Sequence, residues 1–282
     1  MQKIPPIGVA GAGTMGQGIV HLALAAGHSV LLYDISPIAL EKARASIART
    51  LQTAHEKGLL PTDPEACLAR LRTTTSATEL QGDLVIEAVV EKLEVKQELF
   101  RQVESVNSES CILATNTSSI PVTQIAAGCS RPNRVVGMHF FNPAHIMKLV
   151  EVIPGESTDA LVVETIFSLC TNWGKVPVLA KDSPGFIVNR VARHYYVEAL
   201  KLAEEQNASL ASIDVIMEGL GFRMGPFRLM DLIGVDTNFS VTSTMYAQFF
   251  QEPRFRPSRL QQQKVLAGHH GKKTGKGFYD YS

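Results

Sequence analysis

The sequence predicts an α/β fold in which a doubly wound sheet domain is followed by an all-α domain. Three observations carry this. Apolar, strand-like runs alternate with helix-like stretches through the first part of the chain. A Gly-rich loop joins the first strand to the first helix. Strand signals then stop after the turn-rich Lys181-Asp182-Ser183-Pro184-Gly185. The boundary is placed there, giving an α/β domain over 1–183 and a helical domain over 184–282.

The elements follow in order. Ile7 to Ala10 is a short apolar strand, which Pro5 and Pro6 can only precede. Thr14 to Ala26 has helical spacing and Gly27 closes it. Ser29 to Asp34 is a buried strand. Ser36-Pro37 supplies an N-cap and a first-turn proline for a helix running to about Lys57, and Asp63-Pro64 starts a shorter one in the same way. Thr73 to Thr75 and Leu84 to Val89 read as strands, Leu93 to Val106 as a helix, Cys111 to Asn116 and Arg134 to Phe140 as strands. Near-continuous apolar strands in repeated strand–helix–strand units imply a parallel sheet covered on both faces. Val135 to Phe141 and Met147 to Ile153, either side of Asn142-Pro143, form an expected antiparallel pair. Val162 to Trp173 is helical and Val176 to Ala180 one more strand. Beyond the boundary, Phe186 to Glu205, Leu210 to Gly219, Thr237 to Phe250 and Ser258 to Ala267 read as helices.

Composition narrows the function. Hydrophobic residues make up 45% and charged residues 19%, ample for a core. Twenty-seven basic residues balance 27 acidic ones, which argues against a general grip on nucleic acid or anionic lipid. No apolar run approaches a membrane span, and no signal or transit pattern precedes the first strand, so a cytoplasmic location is expected. Cys67, Cys111, Cys129 and Cys170 are scattered without CxxC spacing and read as reduced, buried thiols.

Gly11-Ala12-Gly13-Thr14-Met15-Gly16 matches GxGxxG, follows a strand and opens a helix, and Asp34 ends the next strand. That combination is the Rossmann-type dinucleotide fingerprint. Gly11 permits the tight turn, Gly13 lets the backbone approach a pyrophosphate, and Gly16 allows close helix–strand packing. The helix N-terminus attracts the phosphates. Asp34 would accept hydrogen bonds from ribose hydroxyls and repel a 2′-phosphate, and no Arg follows at 35 or 36, so NAD is expected over NADP. Gly271-Lys272-Lys273-Thr274-Gly275-Lys276-Gly277 lacks P-loop spacing and a preceding strand, so an NTPase is rejected.

His139 sits near the end of one apolar strand and Glu151 on the facing one. A hairpin centred near His145 sets them opposite each other, with Cβ atoms about 4.5–5.5 Å apart. A carboxylate at that range fixes the imidazole tautomer and stabilises the imidazolium, making a neutral histidine a general base. A buried structural pair has the same signature, and both readings stand at this point. His139, His145 and Glu151 lack HxH or HExxH spacing, which disfavours a metal. Asn116-Thr117-Ser118-Ser119 follows a buried strand at the end where such sheets bind ligands. Ser118 is a candidate for substrate or nicotinamide, with helix capping as the alternative. Glu91 and Lys96 occupy another such edge and, taken alone, read as a solvated helix start.

These segments occur in order with Glu91-Lys92-Leu93-Glu94-Val95-Lys96, Thr115-Asn116-Thr117-Ser118-Ser119, His139-Phe140-Phe141-Asn142-Pro143, Lys181 to Arg190, Met224-Gly225-Pro226-Phe227 and the closing Gly-Lys-Lys-Thr-Gly-Lys-Gly-Phe-Tyr. Together they resemble the L-3-hydroxyacyl-CoA dehydrogenases of the 3-hydroxybutyryl-CoA type, over about Ile7 to Tyr281. The resemblance implies an NAD-dependent oxidoreductase of fatty-acid β-oxidation chemistry acting on an acyl-CoA. It implies that His139 is the general base, that Glu151 orients it, and that Ser118 and Asn189 hold the substrate oxygen. It also matches Asp34, Glu91, Lys96, Ser118, Asn142 and Lys273 to cofactor-contacting positions, beside the 11–16 loop. Thr50, where some relatives have Ser, and Lys57 match positions contacting the CoA part. A homodimer through the helical domain is implied as well.

Gly221-Phe222-Arg223-Met224-Gly225-Pro226 and Arg254 to Gln262 resemble instead the dehydrogenases of the phenylacetate route, which act on 3-hydroxyadipyl-CoA. Arg193, Arg223 and Arg228 are then candidates for pairing with a terminal carboxylate, against solvated surface arginine. An L-gulonate-like sugar-acid dehydrogenase would keep the cofactor loop and the His–Glu pair without needing Thr50 and Lys57. A non-catalytic NAD-binding protein would need none of His139, Glu151, Ser118 and Asn189 together.

Overall fold

The computed structural model describes residues 6–281, in two compact units that divide between Ser183 and Pro184. The first unit holds strands β1 (Ile7–Ala10), β2 (Val30–Tyr33), β3 (Leu71–Thr74), β4 (Leu84–Glu87), β5 (Ile112–Thr115), β6 (Val135–Phe140), β7 (Leu149–Pro154) and β8 (Val176–Leu179). Between them lie helices α1 (Thr14–Ala25), α2 (Pro37–Glu56), α3 (Pro64–Leu68), α4 (Leu93–Val106), α5 (Val122–Ala126) and α6 (Ala160–Asn172).

The strands form one sheet in the order β3-β2-β1-β4-β5-β6-β7-β8. From β3 to β6 neighbours run parallel, β7 is antiparallel to β6, and β8 is parallel to β7. The expected doubly wound sheet is therefore present. Its strand order reverses between β1 and β4, so a crevice opens at their carboxyl ends. The core reflects the strand composition. β1, β4, β5 and β6 are buried along their whole length, and Ile19, Val20, Ala23 and Leu24 of α1 pack with them.

Local signals set several boundaries as expected. Ser36 Oγ accepts from Ala39 N and Asp63 Oδ2 from Ala66 N, each ahead of a first-turn proline. Other boundaries shift for tertiary reasons. β3 begins at Leu71 rather than Thr73 because its ladder with β2 pairs Val30 with Leu71. β4 ends at Glu87 rather than Val89 because the Glu87 carboxylate accepts from Val89 N and turns the chain. The short α5 is capped across the fold: Asp182 accepts from Val122 N and Thr123 N. All four cysteines are free thiols; Cys67, Cys111 and Cys170 are buried and Cys129 is half-buried.

The second unit is helical: α7 (Val188–Glu204), α8 (Leu210–Gly219), α9 (Pro226–Ile233), α10 (Val235–Gln248) and α11 (Arg259–Leu266). α7 starts two residues later than expected, because Gly185 and Phe186 take left-handed φ values of 73° and 49°. The sequence reading gave no helix for α9. Its N-terminus is held by Asp214 of α8, whose carboxylate accepts from Phe227 N and Arg228 N. The Gly-rich 271–277 stretch packs against Asp231, and a side chain on Gly271 or Gly277 would collide with that residue. Asp231 in turn accepts from Phe278 N and Tyr279 N.

Candidate active site

The Gly-rich loop turns where β1 ends. Gly11 has φ 104°, and a Cβ there would strike the Ala88 carbonyl. A Cβ on Gly16 would strike the Gly11 carbonyl, so α1 can approach β1 only with glycine at that position. Gly13 has open space where its Cβ would be, and it caps an α1 whose first N–H groups have no side-chain cap. Ala12 and Met15 complete the loop on its buried side and Thr14 is exposed. Asp34 ties the loop to β2: Oδ2 accepts from Ala12 N at 2.8 Å and Oδ1 from Ser36 N at 2.9 Å. A cleft of about 710 Å³ opens beside it, lined by Gly11, Gly13, Asp34, Ala88, Val89 and Val90 among others. Apolar walls, an acid at the ribose end and an open helix N-terminus fit an adenine dinucleotide.

Along the same sheet edge, the antiparallel register pairs His139 with Glu151. His139 Nδ1 lies 2.7 Å from Glu151 Oε2, and both side chains are buried. A carboxylate at Nδ1 favours the tautomer with the ring proton on that nitrogen and Nε2 as the basic one. Phe140 N donates to Asn116 Oδ1 at 2.8 Å, which fixes the end of β6 to the loop after β5. Asn142 follows at a cis Asn142-Pro143 bond and is exposed.

Glu91 organises the Ser118 loop. Its Oε1 accepts from the Thr117 hydroxyl at 2.6 Å and from Ser118 N and Ser119 N at 3.0 and 3.1 Å. Burial opposes ionisation of Glu91, but Lys96 and these donors outweigh it and hold its carboxyl below the usual range. The solvated helix start expected at Lys96 is incorrect. Lys96 is 1% exposed, with its ammonium 2.6 Å from Glu87 and 3.1 Å from Glu91. Glu87 was missed by the sequence reading, although an acid closing the apolar run Leu84–Glu87 is a visible signal.

The CoA candidates separate. Thr50 is half-buried, donates to Ile47 O and lies 3.1 Å from His21 Nδ1; Lys57 is exposed at the C-cap of α2. His21 also stacks near His145, with ring centroids 4.9 Å apart. Lys175 donates to Ala144 O and Met147 O in the loop between β6 and β7. Burial first, then His145 and Lys175, pull the His21 pKa down to about 4. An unfolded histidine takes up its proton near 6.5, so the folded state is penalised as pH falls from there toward 4. Wild-type stability should therefore drop relative to His21→Asn by roughly 3 kcal/mol between pH 7 and pH 4. Denaturant melts across that range test this, and parallel curves would refute it.

In the second unit, Asn189 stands in the first turn of α7, and Lys273 Nζ donates to Asp236 at 2.7 Å. Arg193 departs from both expectations for it. It is 3% exposed and its guanidinium donates to Asn238 and Thr242, neither solvated nor directed at a ligand carboxylate. Arg228 is committed to Glu218 at 2.8 and 2.9 Å, whereas Arg223 is exposed. Among the described residues no group of three or more His, Cys, Asp or Glu could hold a metal ion. No helix among them is long and apolar enough to cross a membrane.

Residues 6–183 match the 3-hydroxyacyl-CoA dehydrogenase NAD-binding domain, and residues 185–281 match the C-terminal domain of the same enzymes. The chain belongs to the 3-hydroxyacyl-CoA dehydrogenase family. Its first unit is the family's NAD-binding domain, and NAD is its cofactor. The chain is 49% identical to the 3-hydroxyadipyl-CoA dehydrogenase of Escherichia coli (strain K12), which matches all of this chain. The chain spans only 60% of the length of that relative. It is 39% identical to the mitochondrial hydroxyacyl-coenzyme A dehydrogenase of Sus scrofa, covering 97% of this chain and 90% of that one. The crystal structure of (S)-3-hydroxybutyryl-CoA dehydrogenase from Ralstonia eutropha superposes with a TM-score of 0.94 at 40% identity, over 98% of this chain and 99% of that chain.

Proposed function

We propose that this chain interconverts an L-3-hydroxyacyl-CoA and its 3-oxoacyl-CoA with NAD, His139 acting as base in oxidation and acid in reduction. The observation that carries this is the buried His139–Glu151 pair at 2.7 Å, on the sheet edge of an NAD-binding domain. Bound NAD supplies the acceptor for the hydride leaving C3. His139 Nε2 takes the hydroxyl proton, and Glu151 stabilises the resulting imidazolium. Ser118 and Asn189 hold the substrate oxygen, while Thr50 and Lys57 take the CoA part. Glu91, Lys96, Asn142 and Lys273 serve the cofactor together with the 11–16 loop and Asp34. The N-terminal domain carries the chemistry, and the helical one serves substrate binding and pairing into a homodimer. Val191, Leu220 and Phe250 of the helical unit are 68%, 71% and 95% exposed, which suits a second copy.

A second reading of the acyl group has specific support: the 49% identical relative is named for 3-hydroxyadipyl-CoA. Of the arginines singled out for a terminal carboxylate, Arg223 is exposed, whereas Arg193 is buried and Arg228 is paired with Glu218. Purified protein should oxidise NADH on mixing with acetoacetyl-CoA or 3-oxoadipyl-CoA, and the ratio of kcat/KM values assigns the acyl class. NADPH should serve poorly, because the Asp34 carboxylate would repel a 2′-phosphate, and Asp34→Ala should narrow the gap between the two cofactors. No turnover with either ester would defeat the dehydrogenase reading and leave a binding role.

A further inference from the structure

On the ligand edge of the sheet stands a fully buried, hydrogen-bonded carboxylate to which the mechanism assigns no task. Glu87, at the end of central strand β4, is 0% exposed. Its Oε1 accepts from Val89 N at 2.7 Å and from Lys96 Nζ at 2.6 Å, and its Oε2 from the Thr115 hydroxyl at 2.7 Å. Its main-chain carbonyl accepts from Asn116 N, and Asn116 in turn anchors Phe140 beside His139. Lys96 passes the contact on to Glu91, whose other oxygen gathers the Thr117-Ser118-Ser119 turn. On the opposite side, Ala88 O stands where a Cβ on Gly11 would be, and Val89 and Val90 line the cofactor cleft.

A carboxylate and an ammonium buried together, with Glu91 at the exposed end of the network, are expensive for stability, and well-packed apolar residues would often hold the strands better. What apolar residues could not do is accept from Val89 N while fixing the Lys96 ammonium. We propose that Glu87 is a positioning residue that couples the 88–91 turn, which lines the dinucleotide cleft, to the 115–119 turn that carries Ser118, so that the two are set together. Glu87 touches neither substrate nor cofactor in this role. The inference rests on the reading of the cleft as the NAD site.

Glu87→Gln tests it, since the amide keeps the shape and can still bond Val89 N and Thr115 while losing its charge toward Lys96. The dissociation constant for NADH, read by nicotinamide fluorescence, should rise about tenfold, the effect of one weakened buried ionic contact. The KM for NADH should rise with it, while the KM for the acyl-CoA changes little. Thr115→Val removes the hydroxyl that donates to the Glu87 carboxylate and accepts from Thr117 N, while leaving both charges in place, and should raise the same constant by a smaller factor. It also keeps the test open should Glu87→Gln fold poorly. A lowered melting temperature with unchanged NADH affinity in the folded variants would overturn the proposal and make the network purely structural. Wild-type protein that binds no NADH would instead overturn the cleft assignment, so the two failures are told apart.

Discussion

His139→Gln is expected to lower kcat for oxidation and reduction alike by about 10²–10⁴-fold, the usual worth of a positioned general base. Gln is chosen because Glu151 is 1% exposed and an apolar replacement would remove the imidazole 2.7 Å from its buried carboxylate. The Gln amide can donate to Glu151 yet cannot take a proton at neutral pH. The loss should fall on kcat more than on the KM for NADH, because His139 lies on β6 and the Gly11–Gly16 loop lies between β1 and α1. The wild-type pH limb that reports imidazole ionisation should vanish from the residual rate. Steady-state rates with a melt of the same sample are the measurement. A variant retaining more than a tenth of wild-type kcat would remove His139 from the proton transfer.

Glu151→Gln separates the two readings that the sequence left open for this pair. If Glu151 supports the base, the amide no longer fixes the proton on Nδ1 or stabilises the imidazolium, and kcat should fall by about 10²–10⁴-fold. The fold should survive, since the amide oxygen can still accept from Nδ1 across the 2.7 Å contact. If the pair were only structural, the melting temperature would drop while kcat stayed near wild type. Combined with His139→Gln, the second substitution should add little, because residues acting as one unit are not additive.

Much of this architecture is legible along the chain because its causes are local. Ser36-Pro37 and Asp63-Pro64 mark helix starts through caps that form within one turn. The Gly11–Gly16 loop is legible because no other side chain fits against Ala88 and Gly11. The His139–Glu151 register follows from the symmetry of a hairpin about His145. α9 escaped notice because its cap is Asp214, on another helix. The burial of Lys96 has the same kind of cause. On its own helix it looks like a solvated charge, and only β4 brings Glu87 within 2.6 Å. The burial of Arg193 is likewise non-local, since α10 supplies its acceptors.

The sequence by itself determined the two-part architecture, the Gly-rich loop of the NAD-binding domain with Asp34 closing the next strand, and the pairing of one histidine with one glutamate. Periodicity, capping and glycine sterics act between residues near in sequence or related by a simple register, so they can be read without coordinates. The tertiary structure alone decided which charges are buried and what neutralises them. Glu87, Lys96 and Glu91 become one network only when β4, α4 and the loop after β5 meet. Burial makes a charge seek a partner, and the partner is supplied by whichever element the fold places nearby.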